Sequence, residues 1–166
     1  MQKSVDYSQA IATRFPEQVI IAIARDKKGM ANPITLGWTM ITSGQPPMMA
    51  ISVGKGRYSL EAIRHSREFV ISLPSDKMAE ATLFFGTRSG RELDKLKESG
   101  IKTEPAKDIN SVLLSDAAAN FECVLRSETE TGDHYIFVGE VVASHINKES
   151  QKRLYTTGTG YQLGGV

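Results

Sequence analysis

The residues best suited to chemistry gather between Asn32 and Ser59. Gly54-Lys55-Gly56-Arg57-Tyr58-Ser59 follows an apolar run and precedes a helical pattern. A helix start offers unpaired N–H groups and a partial positive charge, so anions settle there. Arg57 adds a planar fork of donors matched to phosphate oxygens, and Tyr58 and Ser59 add hydroxyls, with Ser59 the expected N-cap. The alternative is a solvated Arg57 with Ser59 only capping. Just upstream, Trp38, Thr39, Met40, Ile41 and Thr42 end one strand pattern, and Ser52, Val53 and Gly54 end another. On pattern alone Trp38 and Met40 read as core. Strand ends rich in small hydroxyls, leading to an arginine-bearing helix start, suit a flat polar ring with a phosphate tail.

Other chemistries find less support. Gly54-x-Gly56 lacks the third glycine of a dinucleotide fingerprint and the Gly-Lys-Ser/Thr of a P-loop. No Gly-x-Ser-x-Gly elbow occurs. His65, His134 and His145 are the three histidines, and none has a partner at ligand spacing, so no metal site is expected. His134 follows Gly132-Asp133 at a turn, where it either projects towards a pocket mouth or sits in solvent. Cys123 shares a strand face with Ala119, Phe121 and Leu125 and reads as a buried structural thiol. Ser89-Gly90-Arg91 with Lys95 reads as a helix start that doubles as a ligand loop, Gly90 allowing close backbone approach.

These residues need strands to hold them. Ile34, Leu36, Trp38 and Met40 alternate with Thr35, Gly37 and Thr39 as in a half-buried strand, which Pro46-Pro47 stops; Met48–Val53 forms the next. Val19–Ala24 is an uninterrupted apolar run, and Phe69, Ile71 and Leu73 alternate up to Pro74. Ala119–Arg126 and His134–Ile146 pair antiparallel around Gly132-Asp133, with a bulge expected near Gly139. Helices are expected from Ser59 to about Ser66, from a Ser75-Asp76 cap to a stop at Gly86, and from a Ser89/Glu92 capping box to Gly100. Short strands with turn signals point to an antiparallel barrel or sandwich.

At 166 residues the chain suits one domain, spanning 1–166, with a substantial core. Twenty basic and nineteen acidic side chains leave a formal charge of +1, which argues against nucleic acid or an anionic membrane as partner. One cysteine forms no internal disulfide, and neither a spanning run nor a signal segment is visible, so a cytoplasmic protein is expected.

One family shares this order of motifs. Asn-x-x-Thr-x-x-Trp-Thr (Asn32–Thr39), Pro46-Pro47 and Arg57-Tyr58-Ser59 come first. Glu68–Pro74, Ser89-Gly90-Arg91 with Asp94-Lys95, and Gly132-Asp133-His134 before Val138–Val141 follow. Across roughly residues 15 to 146 the chain resembles the flavin reductase-like, flavoredoxin-like branch of the FMN-binding split-barrel proteins. Pro33, after Asn32, departs from the pattern, so Asn32 is not among the expected contacts. The resemblance implies a mainly β fold: an antiparallel Greek-key split β-barrel with peripheral helices.

It further implies non-covalent FMN, with Trp38–Thr42 and Ser52–Gly54 along the ring and Arg57–Ser59 at the phosphate. Ser89, Gly90, Arg91 and Lys95 are placed near the cofactor, and His134 near the flavin edge or the nicotinamide. The implied activity is an oxidoreductase taking a hydride from NADH or NADPH and passing electrons to a downstream acceptor. A homodimer is implied, with the flavin at or beside the interface. No nicotinamide-specific motif is visible, so two alternatives stay open: an electron carrier serving a redox protein partner, and a non-catalytic flavin-binding module.

Overall fold

The computed structural model describes residues 1–165; Val166, the last residue of the expected domain, lies outside them. After a short helix α1 (Tyr7–Ile11), the chain forms strands β1 (Glu17–Gln18), β2 (Ile20–Arg25), β3 (Ala31–Leu36), β4 (Thr39–Gly44) and β5 (Pro47–Gly54). Helix α2 (Tyr58–Ser66) leads into β6 (Glu68–Leu73). Helices α3 (Ala79–Thr87) and α4 (Lys95–Ser99) precede β7 (Thr103–Pro105) and β8 (Val112–Leu114). The long pair β9 (Ala119–Thr131) and β10 (His134–Ile146) follows, then a hairpin of β11 (Leu154–Gly158) and β12 (Gln162–Gly165). No helix among the described residues is long and apolar enough to cross a membrane.

Seven strands make one antiparallel sheet in the order β3-β2-β6-β9-β10-β5-β4. Its two edges, β3 and β4, are consecutive in the chain and joined only by Gly37 and Trp38. Three Cα steps reach about 11 Å, so the edges must meet at this corner. Two bonds hold that corner: the Trp38 carbonyl accepts the Ser52 N–H of β5 at 2.9 Å, and Gln18 Nε2 of β1 donates to the Thr39 carbonyl at 2.6 Å. The sheet is therefore rolled into a barrel that is pinned at one corner and split elsewhere, the mainly β fold expected. Ile34 to Met40 is accordingly two strands rather than one. Their common period hides the break at Gly37, because β3 and β4 pair with opposite ends of the sheet.

Both faces of the central strands are buried, which explains the unbroken apolar run in β2. Ile20, Ala22 and Ala24 face the barrel interior with Ile51, Phe69 and Phe137. Ile21 and Ile23 face outward against Val70, Phe85 and Leu114, under α3, α4 and the loop after β7. Cys123 lies wholly buried in the inner core, and burial pushes its thiol up to about 12, as befits a structural cysteine. The register of β9 against β10 slips at Val138/Gly139, the expected bulge.

Trp38 and Met40 are not core: they are 51% and 61% exposed, Met40 on the edge strand β4 and Trp38 just before it. The N-cap of α2 is Arg57 rather than Ser59, and its side chain makes no capping bond. Gly86 lies inside α3 instead of stopping it; a Cβ there would come 3.3 Å from Thr35 Cβ. The helix expected from Ser89 begins only at Lys95, capped by Asp94, which accepts the Lys97 N–H at 3.2 Å. Gly100, left-handed at φ +65°, ends it as expected.

Candidate functional site

A cavity of about 560 Å³ opens along the split. One wall is the barrel corner, with Thr35, Gly37, Trp38, Ser52 and Gly54. The second is α3, with Thr82 and Gly86, and the third is the tip of the β11–β12 hairpin. Arg14 and Phe15 close the near end. This size suits a drug-sized organic ligand.

Its floor is built by backbone economy. At Gly54 a side chain would meet His134 Nε2 at 3.5 Å and Arg57 Cγ at 3.6 Å, so the missing Cβ leaves room between a histidine and an arginine. His134 stacks on Trp38 with ring centroids 4.7 Å apart and planes tilted by 42°. Asp133 Oδ1 lies 2.7 Å from His134 Nδ1. In a neutral ring that bond keeps the proton on Nδ1 and leaves Nε2, on the Gly54 side, as an acceptor. The Asp133 carboxyl is held below its usual range, chiefly by that bond.

Arg57 lines the cavity beside Gly54. Its backbone N–H bonds to the Gly54 carbonyl at 3.0 Å, and no carboxylate pairs with its guanidinium among the described residues. Lys95 is buried, with Nζ donating to the carbonyls of Phe85 at 3.1 Å and Arg88 at 3.4 Å at the C-terminal end of α3. Burial, and then the positive charge of Arg57, lower its pKa to about 8. Two cations thus sit close enough to repel, a deficit that a bound anion would relieve.

The other expected residues occupy distinct places. Tyr58 and Ser59 turn away from the cavity: the Tyr58 hydroxyl donates to Asp26 Oδ2 at 2.9 Å, and buried Ser59 Oγ accepts from Asn32 Nδ2 at 2.8 Å. The Tyr58 pKa is raised, first by that bond. Val53 is wholly buried core. The Ser52 N–H is spent on the Trp38 carbonyl, so this residue offers the cavity its side chain and not its amide.

Thr39 Oγ1 donates to the Ala50 carbonyl at 2.8 Å, Thr42 is exposed, and Met40 and Ile41 line a separate apolar groove with Met48, Met49 and Val142. Gly90, Arg91 and Lys95 line a smaller polar cleft beside Asn32. Gly90 is there because only glycine fits: a Cβ would fall 2.0 Å from Asn32 Oδ1. Ser89 Oγ accepts the Arg91 N–H at 3.3 Å, and Arg91 reaches the Gly56 carbonyl and Glu61 Oε1, bracing the turn before α2 from outside. Arg91 and Lys95 therefore do not share a helix; the bend at 89–94 separates their roles.

Several lining residues escaped the motif reading. Thr82 and Gly86 come from the helix expected between the Ser75-Asp76 cap and Gly86, which no motif tied to the site, and Arg14 and Phe15 carried no signal. Thr82 Oγ1 is a buried hydroxyl with no hydrogen-bond partner among the described residues, an uncommon state for a buried polar atom. A flat ring with polar edges and an anionic tail fits this donor set: the Ser52 hydroxyl, a glycine-floored slot, an aromatic pair at the mouth, and unpaired cationic charge at one end.

Comparison with known proteins points the same way. A family model described as flavin reductase like domain matches residues 12–164. An uncharacterized protein of Archaeoglobus fulgidus is 30% identical over 111 residues, 67% of this chain and 63% of that protein, so the match spans under two thirds of the relative. A flavin reductase of Pseudomonas putida is 26% identical over 153 residues, 92% of this chain and 86% of its own length. The crystal structure of a flavoredoxin from Methanosarcina acetivorans superposes with a TM-score of 0.87 at 23% identity, covering 100% of this chain and 91% of that one.

Proposed function

The chain belongs to the flavin reductase-like domain family, and on that premise we propose that it binds FMN non-covalently in the cavity along the split and receives electrons there from NADH or NADPH. The observation that carries this reading is the Arg57 guanidinium, unpaired by any carboxylate among the described residues and standing at the end of a slot flanked by Trp38 and His134. Bound flavin supplies the hard chemistry, two-electron acceptance and onward transfer. The protein's part is to bind, orient and exclude water.

Arg57, with the positive charge of Lys95 near it, would hold the phosphate by charge. Ser52 would present its hydroxyl to the ring, and the missing side chain of Gly54 would leave room for it beside the backbone. Trp38 and His134 shield one end, with His134 Nε2 the one imidazole atom free to exchange a proton at the mouth. Tyr58, Ser59, Ser89, Gly90 and Arg91 act behind these groups, fixing the turn that carries Arg57. We further propose that a second copy of the chain covers the apolar groove of Met40, Ile41 and Met48, a reading supported by the exposure of Met40 and Ile41 on the edge strand that follows Trp38.

The test is rapid mixing of FMN-loaded protein with NADH or NADPH. Saturable bleaching of the flavin's visible band is expected. Protein reduced by a low-potential redox protein but by neither nucleotide would replace this reading with the electron carrier. That second reading draws support from the flavoredoxin fold match and from the lack of a nicotinamide motif.

A further inference from the structure

The hairpin tip facing the cavity carries a residue that this chain alone does not account for. Between Gly158 and Gln162 the turn is Thr159-Gly160-Tyr161, in which Gly160 (φ +73°) and Tyr161 (φ +61°) are both left-handed. Glycine adopts that backbone freely, whereas a bulky aromatic is strained in it. Burial does not offset the strain, since Tyr161 is 70% exposed. Yet Tyr161 lines the same cavity as Trp38 and His134, which wall it from the barrel side. The hairpin is anchored at its base, where β11 pairs with β1 and the Asp76 N–H donates to the Lys152 carbonyl, so its tip is held at the mouth.

We propose that Tyr161 is a specificity-determining residue: it forms the outer aromatic wall of the site and stacks on the planar dihydronicotinamide ring of the reductant once flavin occupies the inner part of the cavity. This rests on the flavin reading above. A flat ring gains dispersion and offset-stacking contact with a tyrosine face that is otherwise left in water. Tyr161 makes no contribution to the phosphate end, where Arg57 and Lys95 act.

The test uses FMN-loaded protein carrying Tyr161→Gly or Tyr161→Phe. The probe is an unreactive tetrahydro analogue of NADH, titrated calorimetrically, with FMN affinity and thermal midpoint measured alongside. Tyr161→Gly is expected to weaken the analogue about tenfold, the scale of one lost aromatic stacking contact, and to raise the KM for NADH while leaving the limiting rate of flavin reduction unchanged. Its thermal midpoint should be no lower than the parent's, since glycine relieves the strain. Tyr161→Phe, which keeps the ring, should bind the analogue as the parent does. Equal analogue affinity in Tyr161→Gly and parent, both flavin-loaded, would overturn the proposal. So would a matching loss of FMN affinity, which would assign Tyr161 to the flavin. A parent chain that takes up no FMN would instead remove the reading on which the proposal rests.

Discussion

Among single residues, two positive charges are held in an awkward place. Lys95 is buried and faces Arg57, and its value of about 8 lies below the ordinary 10.5. Between those two values the unfolded chain binds more protons than the folded one, so stability of the ligand-free protein rises as pH climbs through that window. A phosphate docked at Arg57 would offset the positive charge that adds to burial in lowering Lys95, and so favour its protonated form. FMN affinity relative to riboflavin, which lacks the phosphate, should therefore fall as pH rises above 8, seen by titration at about pH 7 and about pH 9.5. Lys95→Met should flatten that dependence. The sequence marked Lys95 only as part of a motif; nothing in it showed that the ammonium would be buried, because burial here comes from α3 and α4 folding over it.

At the scale of elements, what was legible and what was not follows from which interactions decide each one. The two-faced burial of β2 showed in its unbroken run, and the turn at Gly132-Asp133 and the irregularity at Gly139 showed in local residue types. The division of β3 from β4 was hidden, since it depends on pairing with opposite sheet edges. Gly86 looked like a helix stop but is a helix–strand contact, and only the approach of Thr35 explains it. Ser59 looked like a cap but is a buried partner of Asn32.

Gly139 offers a test at this scale. A methyl there would lie 2.6 Å from Phe69 Cζ and 2.8 Å from Cys123 Cβ, both wholly buried. Overpacking of this kind costs roughly 1–3 kcal/mol. Gly139→Ala should lose about that much stability in urea unfolding, and an unchanged midpoint would contradict the packing described.

At the scale of the whole molecule, a barrel pinned at one corner leaves two surfaces, a polar cavity along the split and an apolar groove beyond β4. The fold's antiparallel β character was legible from strand count and turn spacing, which left barrel and sandwich open; the choice of a split barrel, and of Trp38 as part of its wall, came from the family resemblance. The α3 wall and Arg14 were not legible, because they join the site only through tertiary packing. The groove presents Ile41 at 77% and Met40 at 61% exposure, large apolar side chains at a sheet edge. A glutamate at Ile41 would place charge in the proposed dimer seam. Ile41→Glu should sediment as a monomer under conditions where the parent sediments as a dimer; identical sedimentation of the two would remove the groove from that role.

We propose Arg57 as the anchor for the anionic tail of a flavin whose ring lies along the split. The most direct measurement is a calorimetric comparison of FMN and riboflavin on the parent chain and on Arg57→Ala. A charge-assisted hydrogen bond contributes about 1.5–3 kcal/mol, so FMN should bind the parent at least about tenfold tighter than riboflavin, and most of that advantage should vanish in Arg57→Ala while riboflavin is little affected. Equal affinities of the two ligands for the parent chain, or equal losses of both on substitution, would contradict the account.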